Sequence, residues 1–227
     1  LFKEYKSSYI YIERTQKNGK VRKGIIGAVD LEDYSFIRED KANIRATEGT
    51  VIERIPPRVR IRENAPVELP HIMLLIDDRN NSVIEPLYAE KENLEKLYDF
   101  DLNMNGGHLT GWFVKDTERV EKALAALLDE EVLKAKYGST DEGMVFAVGD
   151  GNHSLATAKA CWNNVKATLS EEEQKDHPAR FALVEVMNLH DVGLEFEPIY
   201  RSVFEVDTKD FLDGLYKTVE ESGLDCN

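Results

Sequence analysis

The residues with the most chemical potential lie together in Gly149-Asp150-Gly151-Asn152-His153-Ser154. An apolar run, Met144 to Val148, precedes them, and a helix-compatible run to Trp162 follows. The pattern predicts a buried strand, a tight glycine turn, and a helix opening near Asn152 or His153. The first amides of a helix have no intrahelical partner and sit at the positive end of its dipole, so such a turn is suited to a phosphate. Gly149 and Gly151 let the backbone approach a ligand with no Cβ in the way. Asp150 places a second negative group there, and two negative groups share a site only with a cation between them; Mg²⁺ is the natural bridge. His153 falls in the first helical turn and faces the same ligand. The run is not a Walker A loop, because no Gly-Lys-Ser/Thr follows. It is not a dinucleotide fingerprint either, because Ser154 stands where the third glycine belongs. A turn that only joins strand to helix stays open as the alternative.

A second chemical feature is cationic. Arg58, Arg60 and Arg62 alternate with Val59 and Ile61, so on a strand they line one face; Arg54 and Arg45 add to the group. Two readings stand: an anion-facing strip, or a solvated face paired with Glu53 and Glu63. His71, His108, His177 and His190 are scattered without metal-ligand spacing and read as structural.

The elements that must position these groups are legible as a mixture. Ser8–Arg14 and Lys23–Leu31 read as strands joined at Asn18-Gly19, a strong hairpin signal. Pro56-Pro57 speaks against a long helix. His71–Ile76 reads as a central strand buried on both faces. Pro86–Tyr98 reads as a helix, His108–Val114 as a strand, and Asp116 or Thr117 as the cap of a helix reaching about Ala135. Ser170 with Glu173 forms a capping box, and Phe181–Met187 reads as a strand. Leu194 and Phe196 read as core. Asp207 or Thr208 caps a last helix with Phe211, Leu212, Leu215 and Val219 inward and Gly223 as its stop. The fold class expected is mixed α/β, a mixed sheet flanked by helices, in a single domain over 1–227.

The totals restrict function. The chain has 227 residues, 42% hydrophobic and 32% charged, enough for a substantial core. Its formal net charge of −14 repels nucleic-acid backbones, so nucleic acid is excluded as a partner. No apolar run reaches the roughly 20 residues of a membrane span, so no membrane partner is expected. Cys161 and Cys226 form no disulfide framework, and with no signal-peptide pattern at the start a cytoplasmic location is expected. The chain starts at Leu1 on a strand-like run, which reads as a fragment of something longer.

Three segments, Arg45–Asp78, Gly149–Ala158 and Pro198–Arg201, carry a resemblance that spans nearly the whole chain and keeps the order of the blocks. They resemble the conserved blocks of the family called domain of unknown function 1015. Its pattern has His-Glu-x-Thr, Asp-Gly-His-His-Arg and Pro-x-His-Arg blocks. Here Glu48-Gly49-Thr50 matches the first, with Thr47 for the histidine. Asp150-Gly151-Asn152-His153-Ser154 matches the second, with Asn152 and Ser154 for His and Arg. Pro198-Ile199-Tyr200-Arg201 matches the third, with Tyr200 for His. The lost arginine matters most, because its planar fork is a natural phosphate clamp.

The second block is in turn similar to the phosphate turn of the ParB and sulfiredoxin group, which includes kinases of free serine. That resemblance implies phosphoryl transfer from ATP or ADP with Mg²⁺ to a small hydroxyl metabolite. It implies Glu48 as base for the hydroxyl and Asp150 and His153 in the catalytic centre. Gly149, Gly151, Asn152 and Ser154 would cradle phosphate, with Arg54, Arg58, Arg60 or Arg201 replacing the lost arginine. Sulfiredoxin chemistry is excluded, since its cysteine position is Asn152 and Cys161 lies two or more helical turns on. The alternative is a non-catalytic nucleotide- or phosphate-binding regulatory module. The expected partners are a nucleotide and a small-molecule substrate, with a homodimer left open.

Overall fold

The fold is taken from a computed structural model that describes residues 3–37, 39–69, 71–140, 143–195 and 202–223. They divide into two compact units, Leu1–Leu194 and Glu195–Asn227.

The first unit begins with the hairpin of β1 (Tyr9–Thr15) and β2 (Val21–Asp30), whose turn places Gly19 at φ +80. The short strands β3 (Tyr34–Ser35) and β4 (Ile44–Arg45) follow, then helix α1 (Ile55–Arg62) and strand β5 (Ile72–Ile76). Next come α2 (Glu85–Glu90), the strands β6 (Glu95–Asp101) and β7 (His108–Val114), and helices α3 (Thr117–Ala126) and α4 (Glu130–Tyr137). The unit closes with β8 (Phe146–Asp150), α5 (Asn152–Lys166), α6 (Glu171–Lys175) and β9 (Phe181–Asn188). The capping box on α6 forms as expected, with Ser170 and Glu173 bonding reciprocally.

The strands make one nine-stranded mixed sheet in the order β3-β4-β8-β5-β9-β2-β1-β7-β6. Strands β5 and β9 run parallel, as do β4 and β8, while β8 runs antiparallel to β5. The end of β8 therefore lies beside the start of β5, with Asp150 opposite Met73. Strand β5 is central, with Ile72, Leu74 and Ile76 fully buried. Its other face is only half-buried at Met73 and Leu75, so it is not buried on both faces. The reason is that α2, α3 and α5 send Leu87, Val120, Leu155, Ala158 and Trp162 into one core cluster with Ile72, Leu74 and Ile76. That cluster lies on one face of the sheet.

Three sequence expectations are corrected. Arg58–Arg62 is helix, not strand: Pro56 and Pro57 lie in the first turn of α1, where the missing N–H groups have no intrahelical acceptor anyway. The segment 86–98 is helical only to Glu90; after a turn at Lys91–Asn93 it becomes β6 and pairs with β7. The helix expected to run from Thr117 to about Ala135 is two, α3 and α4, broken at Leu127–Asp129.

The second unit holds α7 (Thr208–Glu221), capped by Asp207, whose carboxylate accepts from the Lys209 and Asp210 amides. Phe211, Leu212 and Leu215 are 42%, 40% and 48% exposed, and Val219 is half-buried. Gly223 follows the helix at φ +71, in keeping with a glycine stop. Phe196 and Pro198–Arg201 lie outside the described residues.

Candidate functional site

The strand–turn–helix forms on β8, the third strand from one edge of the sheet and the neighbour of β5. Strand β8 ends at Asp150, Gly151 takes φ +88, and α5 opens at Asn152. A Cβ on Gly151 would stand 3.1 Å from the Ile72 Cα, so both the backbone angle and the neighbouring strand demand glycine there. A Cβ on Gly149 would stand 2.9 Å from Leu75, which lets the turn pack closely on β5. Among the described residues no side chain caps α5, and its first helical bond runs from the Leu155 amide to the Gly151 carbonyl. The amides of Asn152, His153 and Ser154 thus stand at the open end of a 15-residue helix.

The side chains around this end divide into latch and functional candidates. Asn152 is a latch: it is 5% exposed, its Oδ1 accepts from the Thr47 amide at 3.1 Å, and its Nδ2 donates to the Thr47 hydroxyl at 3.3 Å. The Thr47 hydroxyl in turn donates to the Val148 carbonyl at 2.6 Å. The Asn152 side chain is thereby occupied, and only its backbone amide faces a ligand. Thr47 and Asn152 both stand where the resembling blocks carry histidine, and here they bond to each other. The latch holds the 47–51 loop over the helix start, a contact between residues 105 apart that no local pattern reveals.

That loop delivers Glu48 to His153. The Glu48 carboxylate lies 3.6 Å from His153 Nδ1, and the Val51 amide donates to His153 Nε2 at 3.2 Å. Accepting at Nε2 fixes the tautomer: the neutral ring carries its proton on Nδ1, facing Glu48. The His153 side chain is 16% exposed and that of Glu48 is 59% exposed, so the carboxylate meets solvent while the imidazole backs it. Asp150 is exposed at the strand end, and its Oδ1 accepts from the Gly151 amide at 2.7 Å. Among the described residues its second oxygen has no hydrogen-bond partner. Among the described residues no group of three His, Cys, Asp or Glu is placed to hold a metal. Asp150 is a single carboxylate, which suits Mg²⁺ that keeps its waters and takes its other ligands from phosphate.

The arginines separate. Helix α1 packs on α5, and Arg58 and Arg62 share one side of it at i and i+4. With Ile61, His71, Ser154 and Thr157 they line a hollow of about 200 Å³. Ser154, the replacement for the lost arginine, therefore sits in a hollow walled by two guanidinium-bearing side chains from α1. Arg58 Nη1 also donates to the Arg54 carbonyl at 3.3 Å, and Arg62 pairs with Glu68 at 2.5 Å. Arg60 projects about 200° around the helix from Arg58 and does not share this wall. Arg54 is exposed before α1 and is absent from that lining. Arg45 is turned to structure: its guanidinium donates to the Ala42 and Gly143 carbonyls at 2.8 Å each. Arg201 lies outside the described residues.

A polar cluster that the sequence did not announce sits at the opposite end of β5. Asp77 accepts from the Tyr137 hydroxyl at 2.5 Å and pairs with His190 at 2.6 Å, with the Lys136 ammonium 3.7 Å away. Burial raises the Asp77 carboxyl, but the bonds from Tyr137 and His190 and the Lys136 charge outweigh it and hold it below its ordinary value. Next to it, buried Asp78 caps the Ser82 and Val83 amides. These groups tie strand ends together, and every charge in the pairing faces a partner.

No helix among the described residues is long and apolar enough to cross a membrane. Comparison with curated proteins and comparison with solved structures each return no match. A family model does match, over residues 1–222, and the chain belongs to the family described as Protein of unknown function (DUF1015).

Proposed function

We propose that the protein is a nucleotide-dependent phosphotransferase acting on a small hydroxyl metabolite, with the start of α5 as its phosphate site. One observation carries the reading: the open helix end, the exposed Asp150, the Glu48–His153 pair and the Arg58-lined hollow converge on one turn. Phosphoryl transfer asks for little else, because positioning and charge stabilisation supply most of its catalysis. The amides of Asn152, His153 and Ser154 would hold phosphate oxygens, and Asp150 would hold Mg²⁺ bound to those phosphates. Arg58 and Arg62, which line the hollow with Ser154, would take the part of the missing arginine. The likeness of this turn to the ParB and sulfiredoxin group is one of sequence pattern and adds the expectation of a serine-like acceptor.

In this scheme the acceptor hydroxyl oxygen attacks the terminal phosphorus and the bond to the bridging oxygen breaks. ATP or ADP leaves one phosphate shorter, and Glu48 takes the hydroxyl proton. The His153 imidazole, with Nδ1 3.6 Å from the Glu48 carboxylate, would close on it once substrate binds. A screen of free hydroxyl amino acids with ATP or ADP and Mg²⁺ tests the chemistry. Glu48→Gln should leave nucleotide affinity within about twofold and lower turnover by about 10²-fold or more. Turnover equal to wild type would remove Glu48 as base.

A non-catalytic nucleotide-binding module is the second reading. It is favoured by the Asp150 carboxylate closing on the Gly151 amide, which blocks one donor of the turn. Nucleotide binding with no phosphate transfer to any hydroxyl compound is its signature.

A further inference from the structure

The hollow beside Ser154 does not end at α1. It shares Arg62 and His71 with a larger cavity of about 650 Å³, lined also by Val67, Leu69, Asn164 and His177. The two cavities follow one side of α5 away from its N-terminus. From Ser154 to Asn164 the helix advances about 15 Å. That is the scale of an extended nucleotide from its terminal phosphate to its base. The larger cavity is also of the size and mixed apolar-polar character of small-molecule sites.

Its walls are unusual for a solvated groove. Val67 and Leu69 stand 53% and 73% exposed on the α1–β5 connection, and Ile61 of α1, 77% exposed, lines the adjoining smaller hollow. Such a group reads as a surface to be covered. The two histidines are fixed in complementary tautomers. His71 Nδ1 lies 2.9 Å from the Leu69 carbonyl, which can only accept, so the proton is on Nδ1 and Nε2 is an acceptor. His177 Nδ1 accepts from the Ala179 amide at 3.2 Å, so its Nε2 carries the proton and donates. Its ring is stacked on the buried Trp162 at a centroid distance of 6.0 Å, which holds that orientation. One cavity thus offers an acceptor and a donor on imidazole rings beside an apolar wall. Adenine presents the complement, its N6 amino group as donor beside its N7 as acceptor.

We infer that this cavity is the adenine-binding part of the site, taking the base of a nucleotide whose phosphates lie at the α5 N-terminus. The inference rests on the phosphate site proposed above. Three ligands separate the two claims: ATP, inorganic tripolyphosphate and adenosine, titrated calorimetrically into the full chain with Mg²⁺. The wild type should bind ATP at least about tenfold more tightly than tripolyphosphate. Val67→Ser and Leu69→Ser alter exposed positions that line only the larger cavity and should fold normally, which a thermal melt checks. Each should weaken ATP while leaving tripolyphosphate unchanged. If ATP and tripolyphosphate bind alike in the wild type, or if the variants leave ATP binding intact, the adenine pocket is overturned and the phosphate site stands. If adenosine binds and tripolyphosphate does not, the cavity keeps its base and the phosphate reading falls.

Discussion

At the scale of single residues, the turn depends on atoms that do two different jobs. Asp150 is exposed at the turn and Ser154 lines the hollow beside Arg58, whereas Gly151 shapes the turn and Asn152 holds the 47–51 loop over it. Gly151→Ala should cost about 1–2 kcal/mol in chemical denaturation, because a side chain is forced to φ +88 against Ile72. Asn152→Ala should cost about 1–2 kcal/mol, since it removes both hydrogen bonds that the buried Asn152 side chain makes to Thr47. It should also lower turnover by releasing the loop that carries Glu48. The glycine turn was readable because its residues are consecutive and glycine, aspartate and histidine have few uses in that order. The latch was not readable, because Thr47 and Asn152 meet only through the pairing of strands far apart in the chain. The polar type of Asn152 alone suggests a ligand contact, and only its partner shows that the side chain is occupied.

At the scale of elements, the same logic explains what the pattern missed. Arg-Val-Arg-Ile-Arg alternates with period two and imitates a strand, yet the prolines before it set φ for a first helical turn. The helix then brings Arg58 and Arg62 to one side and turns Arg60 away, a division a strand would not make. Leu87 and Leu94 both join or pack on the core, although one lies in α2 and the other after the turn that begins β6. Apolar spacing therefore marked burial correctly and element type wrongly. The far end of β5 offers a separate test. Asp77 holds α4 and the segment after β9 together, and its carboxyl is kept below its ordinary value. The folded form binds that proton less readily than the unfolded chain, so its contribution is present above the ordinary carboxylate range, about pH 4, and is lost as pH falls through the lower folded value. Asp77→Asn should lower the melting temperature at pH 7, and the gap to wild type should narrow as the pH drops below about 4. A gap that is constant with pH would contradict the charge argument.

At the scale of the whole molecule, the acidic surface sets the context for an anion site. A chain of net charge −14 draws phosphate only where local donors overcome the overall field. The site proposed for this is the helix end of α5, with Arg58 and Arg62 on the neighbouring helix. Family membership places this whole arrangement within a set of proteins whose shared description names no activity. The site geometry must therefore supply the function. The most direct test puts a carboxylate where the phosphate should go. Ser154→Glu adds a negative group in the first turn of α5, which favours the helix dipole and should hold or raise the melting temperature. The same carboxylate should occupy the hollow beside Arg58 and reduce Mg²⁺-dependent ATP affinity by about tenfold or more, read by calorimetric titration. A folded Ser154→Glu protein that binds ATP as tightly as wild type would contradict the account.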